Sequence, residues 1–169
     1  KNLNNIFYKC NLKIEKILLK SFIEGSHISN ENDALDTFFQ IKINEDKSQI
    51  IYFENDALKL EQNFEFGSDL IIRDISKITS LQIETIRTIL KNTKLSNNMS
   101  KEELVENHLF DNDNYIKIKK KLIFEIAEAR IDEILEKLIS KNINITGLNL
   151  KNSTFLLNIK NQSHYIIFE

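Results

Sequence analysis

Three stretches in the first half of the chain, TFFQIKI, SQIIYFE and ALKLEQNFEF, are extended runs rich in Ile, Phe and Tyr and separated by turn-forming residues. Together they predict an antiparallel meander. At Gly67-Ser68-Asp69 the period changes: Leu70, Ile71, Asp74, Ile75 and Ile78 follow helical spacing, with Ser68 or Asp69 placed to cap the helix. A second helix, LQIETIRTILKN, is predicted to follow from Ser80, with Ile83, Ile86 and Leu90 on one face. The strongest helical pattern is YIKIKKKLIFEIAEARIDEILEKLISKN, where Leu122, Ile126, Ala129 or Ile131, Ile134 and Leu138 return to one side. Glu133 and Lys137 form a favourable pair one turn apart on it.

The remaining segments carry weaker patterns. NLNNIFYK predicts a short helix, IEKILLKSF a strand leading into the sheet, and Gly25 a turn, while SHISNENDALD reads as a short helix or a loop. Residues 92 to 114 are polar and predict a loop around a short helix begun by Ser100, with Glu103 completing a capping box. INITGLN predicts a short buried strand ending in a turn, and STFLLNIKN followed by HYIIFE predicts helix, then strand. Strands grouped together and then helices alternating with strands indicate an α/β layered lobe.

Composition narrows the function classes. With 169 residues, 41% of them hydrophobic and 28% charged, the chain suits one compact unit or two small lobes sharing a core. A net charge of −2 gives no basic field with which to displace counterions from nucleic acid. No apolar run is long enough to span a bilayer, and no signal-peptide pattern opens the chain. A start at Lys1 without an initiator Met suggests a fragment of a longer protein, whose membrane anchor would lie outside this sequence. The single cysteine, Cys10, predicts a reducing, cytosolic-type compartment and a small hydrophobe packed in the core.

Candidate chemistry is sparse. Gly25, Gly67 and Gly147 are far apart, so neither glycine-rich phosphate motif is present. His27, His108 and His164 are dispersed and lack metal-ligand spacing. The run KIKKK, residues 117 to 121, is a basic patch for acidic lipid or peptide, or a solvated helix start.

The order and spacing of these elements resemble the second half of FtsA, the bacterial cell-division family of actin-like ATPases. YFENDALKLEQNFEFGSDLIIRDIS is similar, without a gap, to that family's V-F-x-x-G-A-L-x-x-x-x-x-I-P-x-G-G-x-x-I-T-x-D-I-A. IFEIAEARIDEIL resembles its I-I-E-A-R-x-E-E-I-x helix, and KNLNNIFYKCNLKIEKILLKSFIEGS its lead-in helix and strand. The resemblance implies an actin-like, ribonuclease-H-like α/β lobe over residues 1–169: a β-meander, then alternating helices and strands, with a helical, partner-binding insert at about 70–140.

Where the chain departs from the family, it departs at the nucleotide. Family members carry D-I-G-G-G-T-T-D before IIYF, holding phosphates and the metal shell; here stand Lys42, Ile43, Asn44, Glu45, Asp46, Lys47, Ser48 and Gln49. Glu45 and Asp46 would repel a polyphosphate by several kcal/mol at low effective dielectric. By the resemblance, Glu84 and Arg87 align with residues facing the ribose and base, and Thr146 and Gly147 with the start of T-G-G-G-A. They form a degenerate nucleotide remnant, with bulky Leu148 where backbone approaches the base. ATP and Mg serve the family; no cofactor is expected for this fragment, and its enzyme activity is expected to be lost.

The same resemblance places a partner site on the long helix. Arg130 and Glu133, with Arg73 and Asp74 as further candidates, match the family's docking surface for the C-terminal tail of FtsZ, the tubulin-like ring protein. The expected role is a division adapter on the cytoplasmic side of the inner membrane at the division site. Its partners are the FtsZ tail and other divisome proteins, with self-association in the full-length protein; neither nucleic acid nor direct membrane insertion is expected. The alternatives are an ATPase that still binds ATP in the full-length protein and the actin-like component of a type IV pilus assembly.

Overall fold

The computed structural model describes residues 3–32, 35–93, 100, 102–110, 113–148, 150 and 153–160. Helix α1 (Leu3–Lys9) and a non-regular segment, residues 12–19, precede helix α2 (Lys20–Glu31). The meander follows as β1 (Phe38–Ile43), β2 (Ser48–Glu54) and β3 (Ala57–Phe64). Then come α3 (Asp69–Thr79), α4 (Ile83–Asn92), a 3-10 turn (Asn107–Leu109), α5 (Lys120–Leu135) with a π-helical turn (Glu136–Ser140), and β4 (Thr154–Ile159).

The sheet order is β3-β2-β1-β4, antiparallel through the meander and parallel between β1 and β4. Asn55 and Asp56 both take left-handed backbone angles (φ 51° and 58°), the conformation of a tight hairpin turn, and so join β2 to β3 without glycine. Both sheet faces are covered at its centre, which explains the nearly continuous apolar runs of β1 and β2. On one face Phe39, Ile41, Ile43, Ile50 and Tyr52 join the main core with α3, α4 and α5. On the other, Phe38, Ile51 and Phe53 form a second cluster beneath Phe22 and Ile28 of α2.

Helix α2 corrects two expectations. The strand expected over residues 14–22 is instead a non-regular segment entering this helix, and Gly25 sits within the helix rather than in a turn. Its buried stripe is Ser21, Gly25 and Ser29, three small residues one turn apart. An apolar period is absent because the helix is seated closely on the sheet: a Cβ at Gly25 would stand 2.0 Å from the Phe53 ring. The segment before it leaves Ile17, Leu18 and Leu19 exposed. Cys10, expected in the core, is exposed in the turn after α1.

Further corrections fall in the second half. The Ile83 side chain is 41% exposed, so the buried stripe of α4 is Thr85, Ile86, Ile89 and Leu90. In α5, Leu122 points out while Ile123, Ile126, Ala127 and Ile134 point in, and Leu138 of the π-helical turn completes the stripe. No described residue near Ser100 is helical. Glu103 hydrogen-bonds Lys120 instead of capping a helix, and Leu104 bridges Lys119. INITGLN forms turns at 143–147, not a strand. STFLLNIKN, expected as a helix, supplies β4, whose Phe155 stacks on Phe39 of β1 at 5.0 Å. The strand expected at HYIIFE, with His164, lies outside the described residues.

Candidate functional site

The β1–β2 turn, which the sequence resemblance aligns with a phosphate-holding hairpin, is closed onto the start of α3. Asn44 N–H donates to Lys47 O at 2.8 Å and tightens the turn. Ser68 N–H donates to Asn44 O and Asp69 N–H to Glu45 O, both at 2.9 Å. Leu70 and Ile71 N–H groups turn back to Gly67 O and Ser68 O, at 3.3 and 3.0 Å. The opening N–H groups of a helix ordinarily lack acceptors and form a ready anion site. Here four of them are already bonded to backbone carbonyls.

Gly67 makes this contact possible through space rather than conformation. Its φ is not positive, and a Cβ there would lie 2.2 Å from Asn44 O and 2.6 Å from Glu45 O. Glu45, Asp46 and Lys47 are exposed at the tip, and Lys47 meets Glu65 at 3.6 Å. Lys42, which the sequence resemblance aligns with a metal-side carboxylate, pairs with Glu24 of α2 on the opposite face of the sheet from α3. Hydrogen bonding from Lys42 holds the Glu24 carboxyl below its ordinary value.

The residues expected to form a nucleotide remnant fall in two places. Glu84 is exposed on α4, and Arg87, also on α4, reaches Asp69 at the start of α3 at 3.1 Å. Thr146 and Gly147 stand in the turns before β4, where Thr146 Oγ1 donates to Ile143 O at 2.8 Å. It is Lys160, just after β4, whose N–H meets Ile43 O beside the β1–β2 turn.

The partner candidates do converge. Helices α3 and α5 pack together and leave a shallow groove of about 330 Å³ between them, with Ile78, Ile126 and Ala129 among its apolar lining. Arg130 spans it, donating from Nε to Asp74 and from Nη1 to Glu133. Lys137 reaches the other Glu133 oxygen at 2.6 Å. The Glu133 carboxyl is held below its ordinary value first by the hydrogen bond from Lys137, then by the charge of Arg130. Ile78 is 60% exposed in this groove, an apolar side chain beside an ion-paired cluster. Arg73, on α3 beside Asp74, is exposed and does not line it. Helical spacing predicts Arg130 and Glu133 on one flank and puts Ile78 in period with Ile71 and Ile75; the structure buries those two and leaves Ile78 exposed.

The lysine run is neither a free patch nor a simply solvated helix start. Lys120 is buried and bonds Glu103 at 2.8 Å and Glu106 at 2.7 Å, while Lys119 takes Glu102 and Lys121 takes Glu125. The bonds of Lys119 and Lys120 fasten residues 102–106 to the start of α5. Larger hollows of about 560 and 760 Å³ lie along α1 and the segment after it, but each is lined by residues of that one stretch alone.

No family model matches the chain, and no curated protein matches its sequence. Solved structures do match. Ta0583, an archaeal actin homolog, aligns with 84% of this chain and 42% of its own at 10% identity and a TM-score of 0.53. The ethanolamine utilization protein EutJ from Carboxydothermus hydrogenoformans aligns with 84% of this chain and 41% of its own, at 8% identity and a TM-score of 0.49. MreB 5 of Spiroplasma citri, bound to AMPPNP, aligns with 88% and 55%, at 14% identity and 0.47. By its likeness to Ta0583 the fold is an actin-like α/β lobe, and the chain spans 41% to 55% of the length of these structures. FtsA in particular rests on the sequence patterns alone.

Proposed function

We propose that this chain is the partner-binding lobe of a bacterial cell-division adapter resembling FtsA. The groove between α3 and α5 docks the C-terminal tail of FtsZ, and parts of the parent protein outside this chain hold the complex at the membrane. The observation that carries the reading is the meeting of Arg130, Glu133 and Asp74 around exposed Ile78 in one groove. An apolar anchor position beside fixed charges is the arrangement by which helical surfaces capture short peptides. The closed β1–β2 turn supports the non-catalytic half of the reading, since its contacts occupy the N–H groups that would face a phosphate.

Fluorescence polarisation of a labelled peptide from the FtsZ tail of the same organism tests this. The intact chain is expected to bind it saturably, and Ile78→Asp and Arg130→Glu to lose it. Because Arg130→Glu sets a third carboxylate beside Asp74 and Glu133, its folding is checked by circular dichroism; Ile78→Asp alters an exposed residue and serves as the second variant. Absence of saturable binding by the folded parent chain would overturn the assignment.

A further inference from the structure

The groove is asymmetric in the hydrogen bonds it has left to give. Among the residues lining it, Arg130 carries the positive charge, and both edges of its guanidinium are engaged: Nε and Nη2 by Asp74, Nη1 by Glu133. Three carboxylates face that one cation, each with about four acceptor sites: among the described residues the bonds of Asp74 run through Oδ2 alone, and Glu125 meets Lys121 through Oε1 at 3.7 Å. Glu133 is fuller, holding Arg130 and Lys137 on separate oxygens. Acceptors are therefore what the walls offer, above an apolar floor.

That floor is Ile78, 60% exposed, with Ile126 and Ala129 of α5. An incoming carboxylate would face Asp74 and Glu125 and have to displace a carboxylate already bound to Arg130. An incoming ammonium or guanidinium would add its donors to oxygens with unused lone pairs, while an adjacent aliphatic side chain covers Ile78.

We propose that the groove selects a short protein segment in which an apolar side chain is flanked by Lys or Arg, and discriminates against the same segment with acidic flanks. This rests on the peptide-docking reading of the groove and adds the chemistry of its occupant. Two labelled peptides, identical in length and apolar residues but carrying lysines or glutamates at the flanking positions, are titrated by fluorescence polarisation against the whole chain, Ile78→Asp and Glu125→Lys. The basic peptide is expected to bind at least about tenfold more tightly, to lose binding with Ile78→Asp, and to lose much of its advantage with Glu125→Lys. Tighter binding of the acidic peptide overturns the charge assignment while leaving peptide docking intact. Binding indifferent to Ile78→Asp places the contact elsewhere and overturns the inference, and no binding of either peptide by a folded chain counts against both readings.

Discussion

Replacing Gly67 by alanine tests whether the β1–β2 turn is held closed on α3. The added methyl would stand 2.2 Å from Asn44 O, against the 3.4 Å at which ordinary contact begins, so the turn must retreat by about 1.2 Å. Both 2.9 Å bonds from Ser68 and Asp69 N–H cross that same interface and would be stretched out of range. Two backbone hydrogen bonds at about 1 kcal/mol each and local overpacking of about 1–3 kcal/mol give a loss near 3–5 kcal/mol. At about 2–4 °C per kcal/mol for a chain of this size, thermal unfolding followed by circular dichroism should shift down by roughly 6–20 °C. Ser68→Ala, which removes the 3.3 Å bond from Ser68 Oγ to Asn44 O but leaves both backbone bonds across the interface in place, should cost less than Gly67→Ala. Hydrogen exchange supplies the local readout, with the Ser68 and Asp69 amides slow in the parent and fast in Gly67→Ala. A melting temperature within about 2 °C of the parent, or fast exchange of those two amides in the parent, would refute the closed-turn argument.

Two further outcomes follow from the ion pairs. Lys120→Ala should free the segment around Val105, raising exchange of the Val105 amide that bonds Ile118 O and lowering stability by about 1–2 kcal/mol, whereas Lys120→Arg should keep most of the contact; unchanged exchange in Lys120→Ala would refute the fastening role. Hydrogen bonds from Lys42 and Lys120 depress the Glu24 and Glu106 carboxyls below 4.5, so the stability they supply is present above that value and lost as pH falls through the depressed folded values. Hydrogen bonds that Lys120 donates to Glu103 and Glu106 raise it above 10.5, so its contribution is present below that value and lost as pH rises through the raised one. Denaturant titrations across both windows check the signs, and acid stability that falls equally in a Lys42→Met, Lys120→Met double variant would place the acid loss elsewhere.

The sequence by itself determined the elements whose signal is local. The meander, α3 and the bodies of α4 and α5 follow from period and turn chemistry, although α5 begins at Lys120 rather than Tyr115, and Arg130 meets Glu133 because helical spacing brings residues three apart together. Tertiary structure decided the rest. α2 was illegible because its buried stripe is Ser21, Gly25 and Ser29, chosen for closeness to Phe53 rather than for hydrophobicity. The register of α5 turned on whether Leu122 or Ile123 faces the core, and in an apolar-rich helix only the position of α3 settles that. The stretch STFLLNIKN becomes a strand because β1 offers it an open edge for parallel pairing and Phe39 a ring to stack on. The groove itself is beyond any local pattern: Asp74 and Ile78 meet Arg130 across more than fifty positions of chain, and Ile78, apolar and in period, stays 60% exposed there. Periodicity states which side chains share a face; contact between distant segments decides which face is buried.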